Sequence, residues 1–184
     1  MNKPRYFYKD SYHHLYNRGV NKNKIYFEKE DYFFFLRRIK KYKELYSIDI
    51  LCYCLMPNHF HLFVKQLTNE KTIGDFISAL INSYTKSLNK KHNRSGVLFE
   101  GRTKNKIIKK ESYFKWVCKY ILKNPIEAKL VKNIADWEFS SARDYFGLRE
   151  GTLVNKHEVL SHFDSIESFK SFIEEKNKEV VYNF

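Results

Sequence analysis

The chain has 184 residues, 43% of them hydrophobic and 17% aromatic. That is enough apolar content for one domain with its own core, and too much for a disordered segment. The formal net charge of +13 points to polyanionic partners, nucleic acid first. The odd set Cys52, Cys54 and Cys118, together with the lack of an apolar N-terminal segment or a run of ~20 apolar residues, argues against a disulfide scaffold, a secreted protein or a membrane protein, and fits the reducing cytoplasm.

In chain order, residues 10–19 (DSYHHLYNRG) read as a strand ended by Gly19 and the polar loop VNKNK. From Glu28 to Tyr46, Tyr32, Phe35, Leu36, Ile39, Tyr42 and Tyr46 fall at helical spacing among lysines and arginines. Asp49–Met56 and His59–Gln66 are β-like runs parted by Pro57-Asn58, which reads as a hairpin turn. Residues 69–93 carry the apolar stripe Ile73, Phe76, Ile77, Leu80, Ile81, Tyr84 and Leu88, a helix. Residues 97–110 read as extended with a bend at Gly101, and 111–125 as a helix stopped by Pro125. A short helix is expected within 138–147, and 155–177 reads as largely helical and amphipathic. The first six elements make an α+β fold: a ferredoxin- or RRM-like split β-α-β-β-α-β antiparallel sheet with helices on one face. To it are added an extra helix at 111–125 and a helical C-terminal appendage. The expected division is a main domain over 1–147 and an extension over 148–184 packed on it.

Within the hairpin, LMPNHFHLFVK places His59 and His61 one residue apart on a strand. Alternate residues face the same side, so both imidazoles point together while Phe60 and Leu62 point into the core. Two such imidazoles can reach one divalent metal. Two sources of further ligands are open. If Pro57-Asn58 is a two-residue loop, Cys54 lies opposite His61, and Cys52, Cys54, His59 and His61 become a Cys2His2 zinc set, though four ladder positions close a tetrahedron poorly. The other source is the helix at 111–124, where Tyr120 and Asn124 share a face one turn apart. Asn124 offers an amide oxygen, which suits Mg²⁺ or Mn²⁺ beside imidazoles. Tyr120 offers a phenol able to attack phosphorus. Tyr113, two turns before Tyr120, lies on the same face.

The segments YHHLYNRG, CLMPNHFHLFV, NRSGVLFEGR and YILKNPIEAKLV, in this order and spacing, resemble the single-tyrosine HUH transposases, and within them the REP-associated tyrosine transposases. The likeness spans about residues 10 to 147. It implies a metal-dependent single-stranded DNA endonuclease and strand transferase, with His59, His61 and Asn124 binding Mg²⁺ or Mn²⁺ and Tyr120, rather than Tyr113, as the nucleophile that forms a 5′-phosphotyrosine. It implies single-stranded or hairpin DNA as the partner. The expected state is a monomer, with a homodimer as the alternative. A non-cleaving DNA-hairpin-binding module of the same fold and a zinc-stabilised RNA-binding domain are the competing readings.

Between Ser83 and Lys123 twelve Lys or Arg face only Glu100 and Glu111, as a phosphate-binding surface would. Arg18, Arg94, Arg102, Lys104 and Lys106 are the expected DNA contacts, and Tyr12 or Tyr16 could stack on bases.

Overall fold

A computed structural model describes residues 7–175. The alternating first run forms β1 (Tyr12–Arg18), and the two runs around Pro57-Asn58 form β2 (Ile48–Met56) and β3 (His59–Gln66). With β4 (Lys104–Ile108) they make one antiparallel sheet in the order β2-β3-β1-β4, the split arrangement the sequence predicts. Residues 97–103, expected to be extended, join no strand. A single bridge, Gly19 to Phe99, ties that stretch to the end of β1.

The helices α1 (Lys29–Leu45) and α2 (Ile73–Lys91) both start on capping boxes. Glu28 pairs with Asp31 and Thr72 with Asp75, so side chains satisfy amides that the first turn leaves open. They cover the sheet face that carries Leu15, Phe60 and Leu62, where Phe35 of α1 packs against Phe60 with ring centroids 5.4 Å apart.

The sheet is not open on its other face, contrary to the one-sided layering the sequence suggests. Helix α3 (Glu111–Glu127) lies across it, with Phe114 stacked edge-on against Phe63 at 4.8 Å and Tyr12 at 5.2 Å. α3 also runs two residues past Pro125. A proline this near the end removes only one intrahelical bond, and the last turn is closed by Ala128 N–H donating to Asn124 O at 3.0 Å and Leu130 N–H to Pro125 O at 2.9 Å.

Beyond α3 the chain folds back along the outer edge of β2. Leu55 N–H donates to Phe139 O and Ser141 N–H to Tyr53 O, so this edge is paired rather than bare. The short helix α4 (Ala142–Tyr145) falls within the predicted 138–147. The stretch 155–175 is two helices, α5 (Lys156–Leu160) and α6 (Ile166–Glu174), because Ser165 caps a fresh helix after the loop 161–164. Val159, Phe169 and Ile173 are fully buried in the same core as the sheet. Burying each large apolar side chain contributes roughly 1.5–3 kcal/mol. The rest of the expected extension, from residue 176, lies outside the described residues. Among the described residues no helix is long and apolar enough to cross a membrane.

Arg149 ties the returning segment to the sheet. Its guanidinium donates to both oxygens of the buried Asp144, to Glu138 O at 3.0 Å, to Ser140 O at 2.9 Å and to the Tyr53 hydroxyl at 2.6 Å. Removing it leaves a buried carboxylate without its counter-charge. Arg149→Leu is expected to destabilise the fold by about 3 kcal/mol in urea denaturation.

Candidate active site

Direct cross-strand partners share a face. The register pairs His59 with Arg18 and Met56, His61 with Tyr16 and Cys54, and Tyr16 with Lys104. All of these therefore lie on the side covered by α3. Pro57-Asn58 is a two-residue loop, closed by the Met56–His59 pair, which fixes the parity of both histidines. Gly19 lets the chain turn back beside this loop: a Cβ there would sit 2.1 Å from Asn23 O. The Gly19 N–H donates to Asn58 O at 2.8 Å.

A cleft of about 380 Å³ opens where α3 leaves the sheet uncovered, lined by Tyr16, Arg18, His59, His61, Lys104 and Tyr120 among others. Asn124, one turn further along α3, does not line it but meets His59 at its edge, with its Oδ1 3.1 Å from His59 Nε2. The Tyr120 ring stands edge-on to His61, centroids 5.3 Å apart, and is stacked on Trp116 at 5.1 Å. Tyr113 stacks on the far side of Trp116, at 5.6 Å, and does not line the cleft.

The protonation pattern suits a cation. Both ring nitrogens of His59 face amide oxygens, Nδ1 at 2.7 Å from Asn58 Oδ1 and Nε2 at 3.1 Å from Asn124 Oδ1, so a neutral ring, with one proton, satisfies only one of them. With the proton on Nδ1, at the shorter contact, the Nε2 lone pair faces the oxygen of Asn124. Two acceptors turned toward each other at this distance repel unless a positive charge lies between them. Ligands at ~2.1 Å from one octahedral ion stand about 3 Å apart, close to the separation found. Burial holds His59 below the ordinary imidazole range, with the Asn124 contact opposing it. Burial, with the neighbouring imidazoles of His14 and His61's own strand mate His59, holds His61 well below. Both rings are thus neutral near pH 7, as ligands must be. Burial raises the Tyr120 phenol above its ordinary value, and a hydrogen bond with Asn124 pulls it back.

His14 is the site residue that the sequence reading does not single out. Its Nε2 lies 2.9 Å from His61 Nδ1, and its ring is edge-on to Tyr120 at 5.9 Å. A neutral His61 that offers Nε2 to a cation carries its proton on Nδ1, and His14 Nε2 is the acceptor for it. The signal was present: His14 has the strand parity of Tyr12 and Tyr16.

The other expected groups divide. Arg18 and Lys104 line the cleft. Lys106 pairs with His14 across the strands and sits 4.9 Å over the Tyr113 ring. Arg94 packs over Phe27 at 5.1 Å, and Arg102 lies by Ile77, Ile81 and Thr103; neither lines the cleft. Tyr16 lines it, whereas Tyr12 is turned under Phe114 with its hydroxyl bonded to Glu158.

The cysteine alternative lacks geometry. Cys54 pairs with His61, but burial raises its thiol far above the ordinary range, and its Sγ faces Met56 Sδ at 3.5 Å. Among the described residues the cluster of three His, Cys, Asp or Glu groups within ligand range is Glu28, Asp31 and His92. Lys91 is paired with both of its carboxylates, so a cation of the chain already stands between them.

The family model described as "Transposase IS200 like" matches residues 7–124, and the chain belongs to the IS200-like transposases, a family of enzymes that act on DNA. The fold is that of a REP-associated tyrosine transposase solved bound to a REP hairpin, with a TM-score of 0.69 and 18% identity, covering 80% of this chain and 86% of that one. A protein from Deinococcus radiodurans R1 described as a transposase has a TM-score of 0.46 and 15% identity, covering 70% and 97% of the two chains. Curated proteins give no match.

Burial lowers His14 from 6.5 to about 3, with Lys106 adding to the effect. The unfolded chain therefore takes up this proton first as the pH falls. The stability that neutral His14 contributes is complete above pH 6.5 and is lost progressively toward pH 3. Urea denaturation of metal-free protein is expected to show His14 costing about 2 kcal/mol between pH 7 and pH 5. His14→Gln should flatten that slope; an unchanged slope would contradict a buried neutral imidazole.

Proposed function

We propose that the protein is a divalent-metal-dependent single-stranded DNA endonuclease and strand transferase that cuts hairpin-associated DNA through a 5′-phosphotyrosine. The observation that carries this reading is the meeting of His59, His61 and Tyr120 in one cleft with Asn124 against His59, two groups from β3 and two from α3. His59, His61 and Asn124 are the residues that would hold Mg²⁺ or Mn²⁺. Bound there, such an ion would neutralise charge developing on the scissile phosphate.

The chain's own groups do the rest. Arg18 and Lys104 attract the strand and fix its phosphates at the mouth of the cleft. Trp116 holds the Tyr120 ring by stacking, while His61 and His14 hold its edge. The Tyr120 oxygen attacks phosphorus, the bond to the 3′ oxygen breaks, and the phenolic proton ends, in net balance, on the released 3′-hydroxyl. The phosphotyrosine link keeps the free energy of the broken phosphodiester, so a second 3′-hydroxyl can attack it and rejoin strands without a nucleotide cofactor. Asn124 contacts both His59 and Tyr120, so one side chain couples the ligand set to the nucleophile.

Hairpin DNA is carried over from the REP-hairpin-bound structure that shares this fold. One chain assembles all four groups, which supports a monomer using Tyr120 in its own site, in the cytoplasm where DNA is accessible. Residues 148–175 serve in this reading as a brace on the main domain.

With Mn²⁺ and hairpin oligonucleotides bearing single-stranded flanks, the protein is expected to form an SDS-stable adduct with the 5′ end of the cut strand. Tyr120→Phe should abolish the adduct and spare DNA binding, and EDTA should suppress it. An adduct that persists in Tyr120→Phe would overturn the assignment of the nucleophile; binding with no adduct from the unaltered protein would leave a hairpin-binding module. Loss of the hydrogen bond behind His61 should weaken metal affinity. In Mn²⁺ titrations His14→Phe is expected to bind roughly 10–100-fold more weakly, with His14→Gln, which keeps an acceptor, in between.

A further inference from the structure

Among the described residues that line the cleft, Glu100 is the sole carboxylate. It does not approach the histidines as a ligand. Its two oxygens are taken by the fork of Arg18, Nε on one and Nη2 on the other, the latter at 2.9 Å. Arg18, then Lys104 and Lys22, hold its carboxyl below the usual range. Lys22 and Lys104 line the same cleft, so three cations gather around one anion. The backbone holds the anion at this place: Glu100 N–H donates to Arg18 O at 2.8 Å, and the Gly19–Phe99 bridge fixes the residue before it.

A guanidinium fork flanked by lysines is the arrangement that binds a phosphodiester, and a carboxylate offers it the same pair of oxygens. The pair is about half exposed, 51% for Arg18 and 47% for Glu100. Ion pairs that wet contribute little and exchange readily. A DNA strand, by contrast, brings many phosphates and releases counterions as it binds.

We propose that Arg18, Lys22 and Lys104 form a subsite for one backbone phosphodiester of the DNA strand, and that the Glu100 carboxylate holds this subsite until the strand displaces it. This rests on the single-stranded DNA reading of the cleft. Glu100 keeps three like charges together without DNA, and it makes isolated phosphates compete against a tethered anion. Only a strand anchored elsewhere along the cleft displaces it efficiently.

The test is a double-mutant cycle in DNA affinity, read by fluorescence anisotropy of a labelled hairpin oligonucleotide with a single-stranded flank. Tyr120→Phe protein is used so that no covalent capture distorts binding. Glu100→Gln is expected to tighten binding about 3–10-fold and to steepen the dependence of log K on log salt by about one unit, as one more cation becomes available to phosphate. Glu44→Gln, which removes an exposed carboxylate on α1, should leave both nearly unchanged. Arg18→Gln should cost more in the Glu100→Gln background than alone. Three results would each overturn the subsite: weaker binding by Glu100→Gln, which would make Glu100 a strut that aims Arg18; an equal gain from Glu44→Gln; or strict additivity of the Arg18 and Glu100 changes. The adduct assay separates the two readings. An adduct with an additive cycle removes the subsite alone, and a coupled cycle without an adduct removes the cleavage chemistry alone.

Discussion

The seating of α3 on the histidine face of the sheet is the contact on which the rest depends. Phe114 locks onto Phe63 and Tyr12 at one end, and Tyr120 stands against His61 and His14 at the other. Neither partner alone makes a site. The sheet supplies imidazoles whose spacing is fixed by the pleat, and the helix supplies an amide and a phenol whose spacing is fixed by one turn. Only the packing brings Asn124 Oδ1 to 3.1 Å from His59 Nε2. It also buries His61 and His14 to 5% and 1% exposure, which keeps them neutral, so the contact that builds the site also sets its protonation.

Much of this is legible in the sequence because it follows from local periodicity. The bounds of β3, the two-residue turn at Pro57-Asn58, the parity of His59 and His61, and the Tyr120–Asn124 spacing each need only a pleat or a helical turn. What was not legible is what depends on packing. A period of two cannot say that a helix covers the face it exposes, so the imidazoles read as facing outward. His14 sits on β1, and its approach to His61 depends on β1 pairing directly with β3, which no single segment encodes. Pro125 read as a stop because its effect on an interior turn is large; in the last turn the backbone bonds that close around it absorb the loss.

Counting charge along the chain also overstates the surface proposed to bind phosphate, for a physical reason. Of the twelve basic residues between Ser83 and Lys123, Lys91 is bound to Glu28 and Asp31, and Lys119 and Lys123 are buried against α6. The field at the cleft comes from fewer groups, chiefly Arg18, Lys22 and Lys104, of which two lie on other elements. Net charge steers a polyanion toward the molecule, but which phosphate is held where depends on the few cations that share one concave wall.

The buried lysines of α3 explain what the segment after the family match contributes. Lys123 Nζ donates to Glu175 O at 2.9 Å, and Lys119 lies 3.6 Å from the Glu175 carboxylate and over the Phe172 ring at 4.8 Å. Burial lowers the Lys119 ammonium, with Glu175 opposing the shift. A buried ammonium is costly unless a partner meets it, so the face of α3 turned from the sheet is satisfied only with the end of α6 in place. Phe169 and Ile173, fully buried, hold α6 there. The helix that carries Tyr120 is therefore gripped from both sides, by aromatic packing on the sheet and by charge and apolar contacts from the chain's own later residues. A tyrosine helix seated this way has little freedom to leave its own sheet, and the tolerance on the Tyr120–His61 geometry is set by two independent layers rather than by the four site residues themselves.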